Sequence, residues 1–232
     1  SLSLCFGRAG DILGRRKLYR IGIVLYALGS GLSALSQSVV QLLTFRTVMA
    51  IGLAMATPLS AAILASNFPE RRGWALGWYA SAIAIGRATG PTFGGMILYF
   101  YSWRAIFLMN LLVGLFISVA VFLFLKGEEE RYPEAFDFIG TAALLIAYPS
   151  LLIALSLGAN TKWTATQIPL WFLIAAVGTV SFVWTELRTR NPLINPSLFR
   201  SLPFSAVIIS MVMFSAIYSP LGIFGPLYME NV

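Results

Sequence analysis

The sequence predicts an all-α membrane protein, a bundle of about seven membrane-spanning helices with the tail of another ahead of them. Three observations lead there. Of 232 residues, 58% are hydrophobic and only 11% are charged, against about 25% in an ordinary soluble domain. The apolar residues form runs long enough for a bilayer, which takes roughly 20 residues per helix across a core of about 30 Å. The 16 Lys and Arg residues fall between those runs and form no patch. Positive-inside loops account for them better than a nucleic-acid surface, and no nucleic acid is expected as a partner.

Ser1 to Phe6 read as the end of one helix. The next run extends from Ile21 to Phe45 and is broken by the polar turn Ser36 to Ser38, so it divides into helices from about Leu18 to Leu35 and Val39 to Ala65. After the polar loop Asn67 to Gly73 a third helix spans Trp74 to Tyr101, and a charge-free fourth spans Ala105 to Leu125. The acidic loop Lys126 to Asp137 precedes a fifth, Phe138 to Leu157. The sixth runs from Ile168 to Trp184, with Pro169 in its first turn, where a missing N–H is harmless. The seventh runs from Phe204 to Met229 and is expected to be interrupted by Pro220 and Pro226. The chain opens without methionine just before a loop and stops as a helix ends, so it reads as an internal fragment of a longer chain.

Charge in the loops orients the bundle. One set of alternate loops holds Arg8, Arg15, Arg16, Lys17, Arg20, Arg71, Arg72, Lys126, Arg131, Arg188, Arg190 and Arg200; the other holds only Arg104 and Lys162. The first set is expected to be cytoplasmic, at the plasma membrane or a bacterial inner membrane. Tyr99, Tyr101, Trp103 and Trp163 then mark the outer interface, and Trp74 and Trp184 the inner one. With no histidine and one cysteine, Cys5, His-based metal sites, Ser–His or Cys–His nucleophiles and a disulfide framework are excluded. Five of the nine carboxylates lie between Glu128 and Asp137, which leaves almost nothing for acid–base work in a cleft. No enzyme activity, cofactor or metal is expected.

Three segments carry more than composition. Gly7 to Lys17 reads GRAGDILGRRK, a tight basic turn in which glycines allow close approach and Asp11 can accept from a neighbouring helix N-terminus. Arg46 and Gly52 stand in RTVMAIG, with Arg46 about two turns into its helix, close enough to the outer interface to snorkel. Gly86 to Gly95 reads GRATGPTFGG. Here Ala82, Gly86, Gly90 and Gly94 recur every four residues as one small-residue ridge, a pattern that suits close packing of membrane helices. Pro91 removes a donor and frees the carbonyl of Arg87, a basis for a bend. Arg87 itself lies about 13 residues beyond Trp74, hence roughly 20 Å along the helix. Near the midplane a lipid-facing arginine would cost at least about 2.5 kcal/mol, so a bundle or cavity position is expected, either with a structural partner or as a determinant of cavity charge.

The first segment resembles the signature G-x-L-A-D-R-x-G-R-K of the major facilitator superfamily. Gly7, Gly10, Asp11, Gly14, Arg15 and Arg16 match it, while Ala9 and Ile12 depart. The Arg46 segment is similar to the family pattern R-x-x-Q-G-x-G, from which Met49 and Ala50 depart. Gly86, Gly90, Pro91, Gly94 and Gly95 complete the pattern G-x-x-x-G-P-x-x-G-G of drug:proton antiporters, followed by the equally typical WRAIFLMN from Trp103 to Asn110. Phe136 to Gly140 and Glu186 to Phe199 resemble the flanks of the two extra central helices in 14-span drug:proton antiporters of the EmrB/QacA type. The resemblance implies a helical bundle in which residues 1–125 belong to the N-terminal half, 126–203 hold the two extra helices, and 204–232 open the C-terminal half. It further implies a cytoplasmic latch at the Asp11 motif, a coupling candidate in Arg46 and a cavity candidate in Arg87. The expected function is proton-coupled export of small apolar or cationic compounds by alternating access, with substrate, protons and lipid as partners and accessory export proteins undefined. A metabolite carrier of the same superfamily and a non-transporting receptor or scaffold are the alternatives. Proton coupling needs a titratable group at depth. No carboxylate lies well inside the seven helices, and Glu186 and Glu230 read as interfacial.

Overall fold

Hydrocarbon offers no water to pair with backbone N–H and C=O groups, so a chain this apolar must satisfy them within helices. The computed structural model describes residues 2–125, 137–160, 167–189 and 196–230. Among them the elements are α1 (Leu2–Leu13), α2 (Arg15–Ala34), α3 (Val39–Asn67), α4 (Arg72–Phe100), α5 (Trp103–Phe124), α6 (Phe138–Asn160), α7 (Gln167–Arg188) and α8 (Leu202–Glu230). Four are both long and apolar enough to cross a membrane: α3, α5, α6 and α7. Helices α2 and α4, of 20 and 29 residues, reach about 30 Å or more at 1.5 Å per residue, but glycine, serine and arginine dilute their hydropathy.

Two expectations are corrected. The basic segment after Phe6 is not a loop: α1 continues through Gly7, Gly10 and Asp11 to Leu13, and the turn shrinks to Gly14 alone. Gly14 has φ 106°, a conformation that glycine adopts without a Cβ penalty. Second, Pro220 and Pro226 do not interrupt α8, which stays helical from Leu202 to Glu230. A proline removes one donor, and a membrane helix can absorb that locally. Pro58, Pro91 and Pro149 are likewise held inside α3, α4 and α6.

Local signals set the helix starts. Ser38 caps α3, its Oγ accepting from the Gln41 N–H at 3.2 Å, while Gln41 Oε1 accepts from the Gln37 N–H at 2.9 Å, so two orphan donors are satisfied reciprocally. Asp137 caps α6, its Oδ1 accepting from the Gly140 N–H at 2.8 Å, which satisfies one of the first-turn donors.

Helix α2 sits at the centre of the first five, packed on α3 and α5, with α1 against α3 and α2. The α2–α3 crossing is a glycine contact. A Cβ on Gly29 would lie 2.5 Å from Met49 N, and one on Gly22 would lie 2.9 Å from Gly52 O. Leu18, Leu59 and Ile63 form the buried apolar cluster at one end, joined by Phe6, Met55 and Leu125. Hydrogen bonds fix the up-and-down order. Arg16 donates to Asn67 Oδ1 at 3.2 Å and Arg20 donates to the Leu125 carbonyl, which puts the start of α2 beside the ends of α3 and α5. At the other end Arg104 donates to the Ser36 carbonyl at 3.0 Å. Helices α6 and α7 pack on each other through Ala147 and Gly178.

Large side chains such as Phe116 and Val40 are exposed to 76% and 73%. In water that would be an aggregation surface; in a bilayer it is the lipid face. The chain is an integral, multi-pass membrane protein. The acidic loop from Lys126, together with Arg131, Lys162, Trp163 and Arg190, lies outside the described residues.

Candidate functional site

The basic turn is built by Gly14, which reverses the chain so tightly that α2 begins one residue after it. Asp11, in the last turn of α1, accepts from Arg15 Nε at 2.6 Å, four residues on. Both side chains are roughly 30% exposed (31% for Arg15, 28% for Asp11), and such an i,i+4 pair contributes about 0.3–0.5 kcal/mol. Asp11 thus braces its own turn. Gly10 is buried with Leu59 of α3 against it, where a Cβ would collide with the leucine methyl, and a Cβ on Gly7 would lie 3.6 Å from Pro58 Cβ. Arg16 reaches α3 through Asn67. The six motif residues therefore organise the joined ends of α1, α2 and α3.

Arg46 and Gly52 sit on α3 but act on different neighbours. Arg46 is exposed, and its guanidinium carbon lies 5.7 Å from the Phe107 ring centroid on α5, within cation–π range. Gly52 is buried at the α2 crossing, where a Cβ would lie 2.5 Å from the Gly22 carbonyl oxygen.

Helix α4 packs more loosely than α2, α3 and α5. It touches α3 and α5 only lightly, and Ala75 is its buried residue. Tyr79 ties it to α3, with its hydroxyl 3.0 Å from Ser60 Oγ and donating to the Thr57 carbonyl at 3.3 Å, next to Pro58. A Cβ on Gly86, Gly90, Gly94 or Gly95 would meet nothing within 4 Å. The small-residue ridge is continuous, helical through Pro91 and open. Arg87, on its flank, is exposed as well.

Sequence reasoning did not foresee several polar contacts. Ser30 is fully buried and donates to the Phe107 carbonyl at 2.8 Å, linking α2 to α5. Arg20 closes the C-terminal end of α5 through Leu125 and lies 5.4 Å from the Phe122 ring; its i+4 spacing from Arg16 was the available signal. Glu186 lies in the last turn of α7 and is buried against protein, with 5% exposure. Thr185 beside it is buried too, and Thr189 donates to Asp137 Oδ2 at 3.4 Å, so the polar end of the α6–α7 pair is folded inward. Among the described residues no group of His, Cys, Asp or Glu is clustered for a metal. Among the described residues the arrangement offers close-packing surfaces and hydrogen-bonded helix ends.

The family model described as Major Facilitator Superfamily matches residues 1–232. The chain is 32% identical over 214 residues to Multidrug resistance protein Stp of Mycobacterium tuberculosis (strain ATCC 25618 / H37Rv), covering 91% of this chain and 40% of that protein. It is 26% identical over 229 residues to Multidrug resistance protein 3 of Bacillus subtilis (strain 168), covering 98% and 45%. It is 29% identical over 216 residues to Probable multidrug resistance protein EmrY of Escherichia coli (strain K12), covering 92% and 42%. The chain spans about two fifths of the length of these curated relatives.

Proposed function

This chain belongs to the major facilitator superfamily, a family of transporters and not of enzymes, and from that premise we propose that it is part of a proton-coupled exporter of small apolar or cationic compounds. The observation that carries the proposal is the complete G-x-x-x-G-P-x-x-G-G pattern on α4, held in one continuous helix as a row of glycines that nothing among the described residues covers. Such a ridge allows the closest approach of another helix backbone. In the full transporter it packs against the second half and seals one access state, and Pro91 lets the helix flex as the halves rock. Residues 1–125 supply part of the first half, 126–203 the two extra helices and 204–232 the first helix of the second half. The relatives named for multidrug resistance support export over uptake.

Within this reading the Asp11–Arg15 turn and the Arg16–Asn67 bond form the cytoplasmic latch, and the charge asymmetry of the loops places that end inside. Arg46 and Arg87 tune the charge of the transport path. The carboxylate that carries the proton lies in parts of the longer protein beyond these helices, because Asp137 and Glu186 both sit at the end of the α6–α7 pair. Everted membrane vesicles containing the full-length protein test the proposal. A lipophilic cation such as ethidium should accumulate under a proton gradient and leave when a protonophore is added. Accumulation that survives collapse of the gradient contradicts proton coupling. Exchange of polar metabolites, with every lipophilic cation ignored, favours the carrier alternative.

A further inference from the structure

The face of α7 turned away from α6 carries a groove of about 450 Å³ lined by Ala176, Val177, Val180, Ser181 and Trp184. Its end is cationic: the Arg188 guanidinium carbon stands 4.3 Å from the Trp184 ring centroid. Val177, Ser181, Trp184 and Arg188 follow one another at spacings of four, three and four residues, which places them on one helical stripe. From Ala176 to Trp184 the stripe is about 12 Å long at 1.5 Å per residue, close to one leaflet's share of a hydrocarbon core of about 30 Å. Tryptophan favours the level where that core meets the headgroups, and Arg188 follows one turn later with its guanidinium against that ring. We propose that this stripe is a binding site for an anionic phospholipid of the bilayer, with an acyl chain in the Val177–Val180–Trp184 groove and the headgroup phosphate on Arg188.

Two features choose lipid over a covering helix. Membrane helices meet through small residues, and the small residues that α7 buries, Ala175 and Gly178, lie on the side where Gly178 meets Ala147 of α6. On the groove side three of the five lining residues, Val177, Val180 and Trp184, are bulky and open, with Val180 at 68% and Trp184 at 54% exposure. Charge chooses the headgroup. A guanidinium stacked on an indole keeps its N–H edge available, and that planar edge matches phosphate oxygens in pairs. The neighbouring carboxylate Glu186 is buried and lies two residues from Arg188, about 200° around the helix. The leaflet follows from the loop-charge orientation and is the cytoplasmic one; binding itself does not depend on that orientation.

Full-length protein in phosphatidylcholine nanodiscs, doped with brominated phosphatidylglycerol or with the same mole fraction of brominated phosphatidylcholine, tests the site through tryptophan quenching. The phosphatidylglycerol should give a quenching component that Trp184→Phe removes, at about fivefold lower doping than phosphatidylcholine needs, the enrichment expected from one basic side chain at an anionic surface. Arg188→Gln should erase the difference between headgroups and leave the equal, weaker quenching of any boundary lipid. Equal quenching by the two lipids with Arg188 intact overturns the proposal in favour of non-selective boundary lipid. Absence of a Trp184 component with either lipid overturns it in favour of protein covering the face. The first outcome is read from the two lipids on the unsubstituted stripe and the second by comparison with Trp184→Phe, so both stand even if Arg188→Gln is poorly expressed.

Discussion

Replacing Gly52 by alanine adds one methyl group at the tightest backbone approach among the described glycines. That Cβ would fall 2.5 Å from the Gly22 carbonyl oxygen and close to the backbone nitrogen of Tyr26. Both obstacles are backbone atoms of α2, so no rotamer change relieves them and the two helices must separate by roughly 1 Å to reach ordinary contact. Separation would also loosen the Gly29–Met49 approach further along the same crossing. Overpacking of this kind costs about 1–3 kcal/mol, and the better helix propensity of alanine offsets up to about 1 kcal/mol. A net loss of about 1–2 kcal/mol corresponds to a midpoint lowered by roughly 2–8 °C, taking 2–4 °C per kcal/mol for a cooperative unit of this size. Gly73→Ala is the control, since its Cβ meets nothing within 4 Å and it lies on α4 outside the Gly86–Gly95 ridge. Thermal unfolding of the detergent-solubilised full-length protein, followed by size-exclusion chromatography, reads the difference. A Gly52→Ala midpoint equal to that of the unsubstituted protein would refute the reasoning, because a crossing that accepts a methyl group freely is not closed by backbone contact.

Asp11→Asn should reduce efflux more than protein level; the part-exposed pair with Arg15 accounts for only about 0.3–0.5 kcal/mol of stability, so undiminished efflux at normal expression would leave the motif a turn and nothing more. Arg87→Ala should change substrate preference or the pH profile of efflux with expression near normal, and an unaltered profile for every substrate would remove Arg87 from the transport path. For topology, single cysteines replacing Arg72 and Lys162 in a Cys5→Ala background should react with an impermeant maleimide from inside and outside respectively; labelling of position 72 from outside in intact cells contradicts the orientation.

The spans are legible along the chain because lipid selects on a simple property, the length of an apolar run. Val39–Asn67 and Trp103–Phe124 declare themselves that way. The helix that continues past Phe6 is hidden because glycine and arginine look like loop composition, whereas only Gly14 has a conformation that requires a glycine. The partners of Ser30 and Arg20 cannot be read from spacing at all, since Phe107 and Leu125 are 77 and 105 residues away and only the packing of α5 on α2 brings them there. The glycines make the same point. Gly22, Gly29 and Gly52 are spent on α2–α3 contact, while Gly86, Gly90 and Gly94 face open space, yet both sets look alike along the chain. Sequence spacing identifies a ridge; tertiary structure decides whether it is filled.

Proton coupling through an export cycle is tested most directly by substrate-driven proton movement in proteoliposomes containing the full-length protein, with the interior pH read by a trapped fluorescent dye. With an imposed pH gradient, adding a lipophilic cation should accelerate dissipation of the gradient, and Gly90→Leu, which fills the open ridge, should abolish the acceleration while the protein remains folded and inserted. Movement of the cation with no accompanying change in the rate of proton flux, or full coupling in the Gly90→Leu protein, would contradict it.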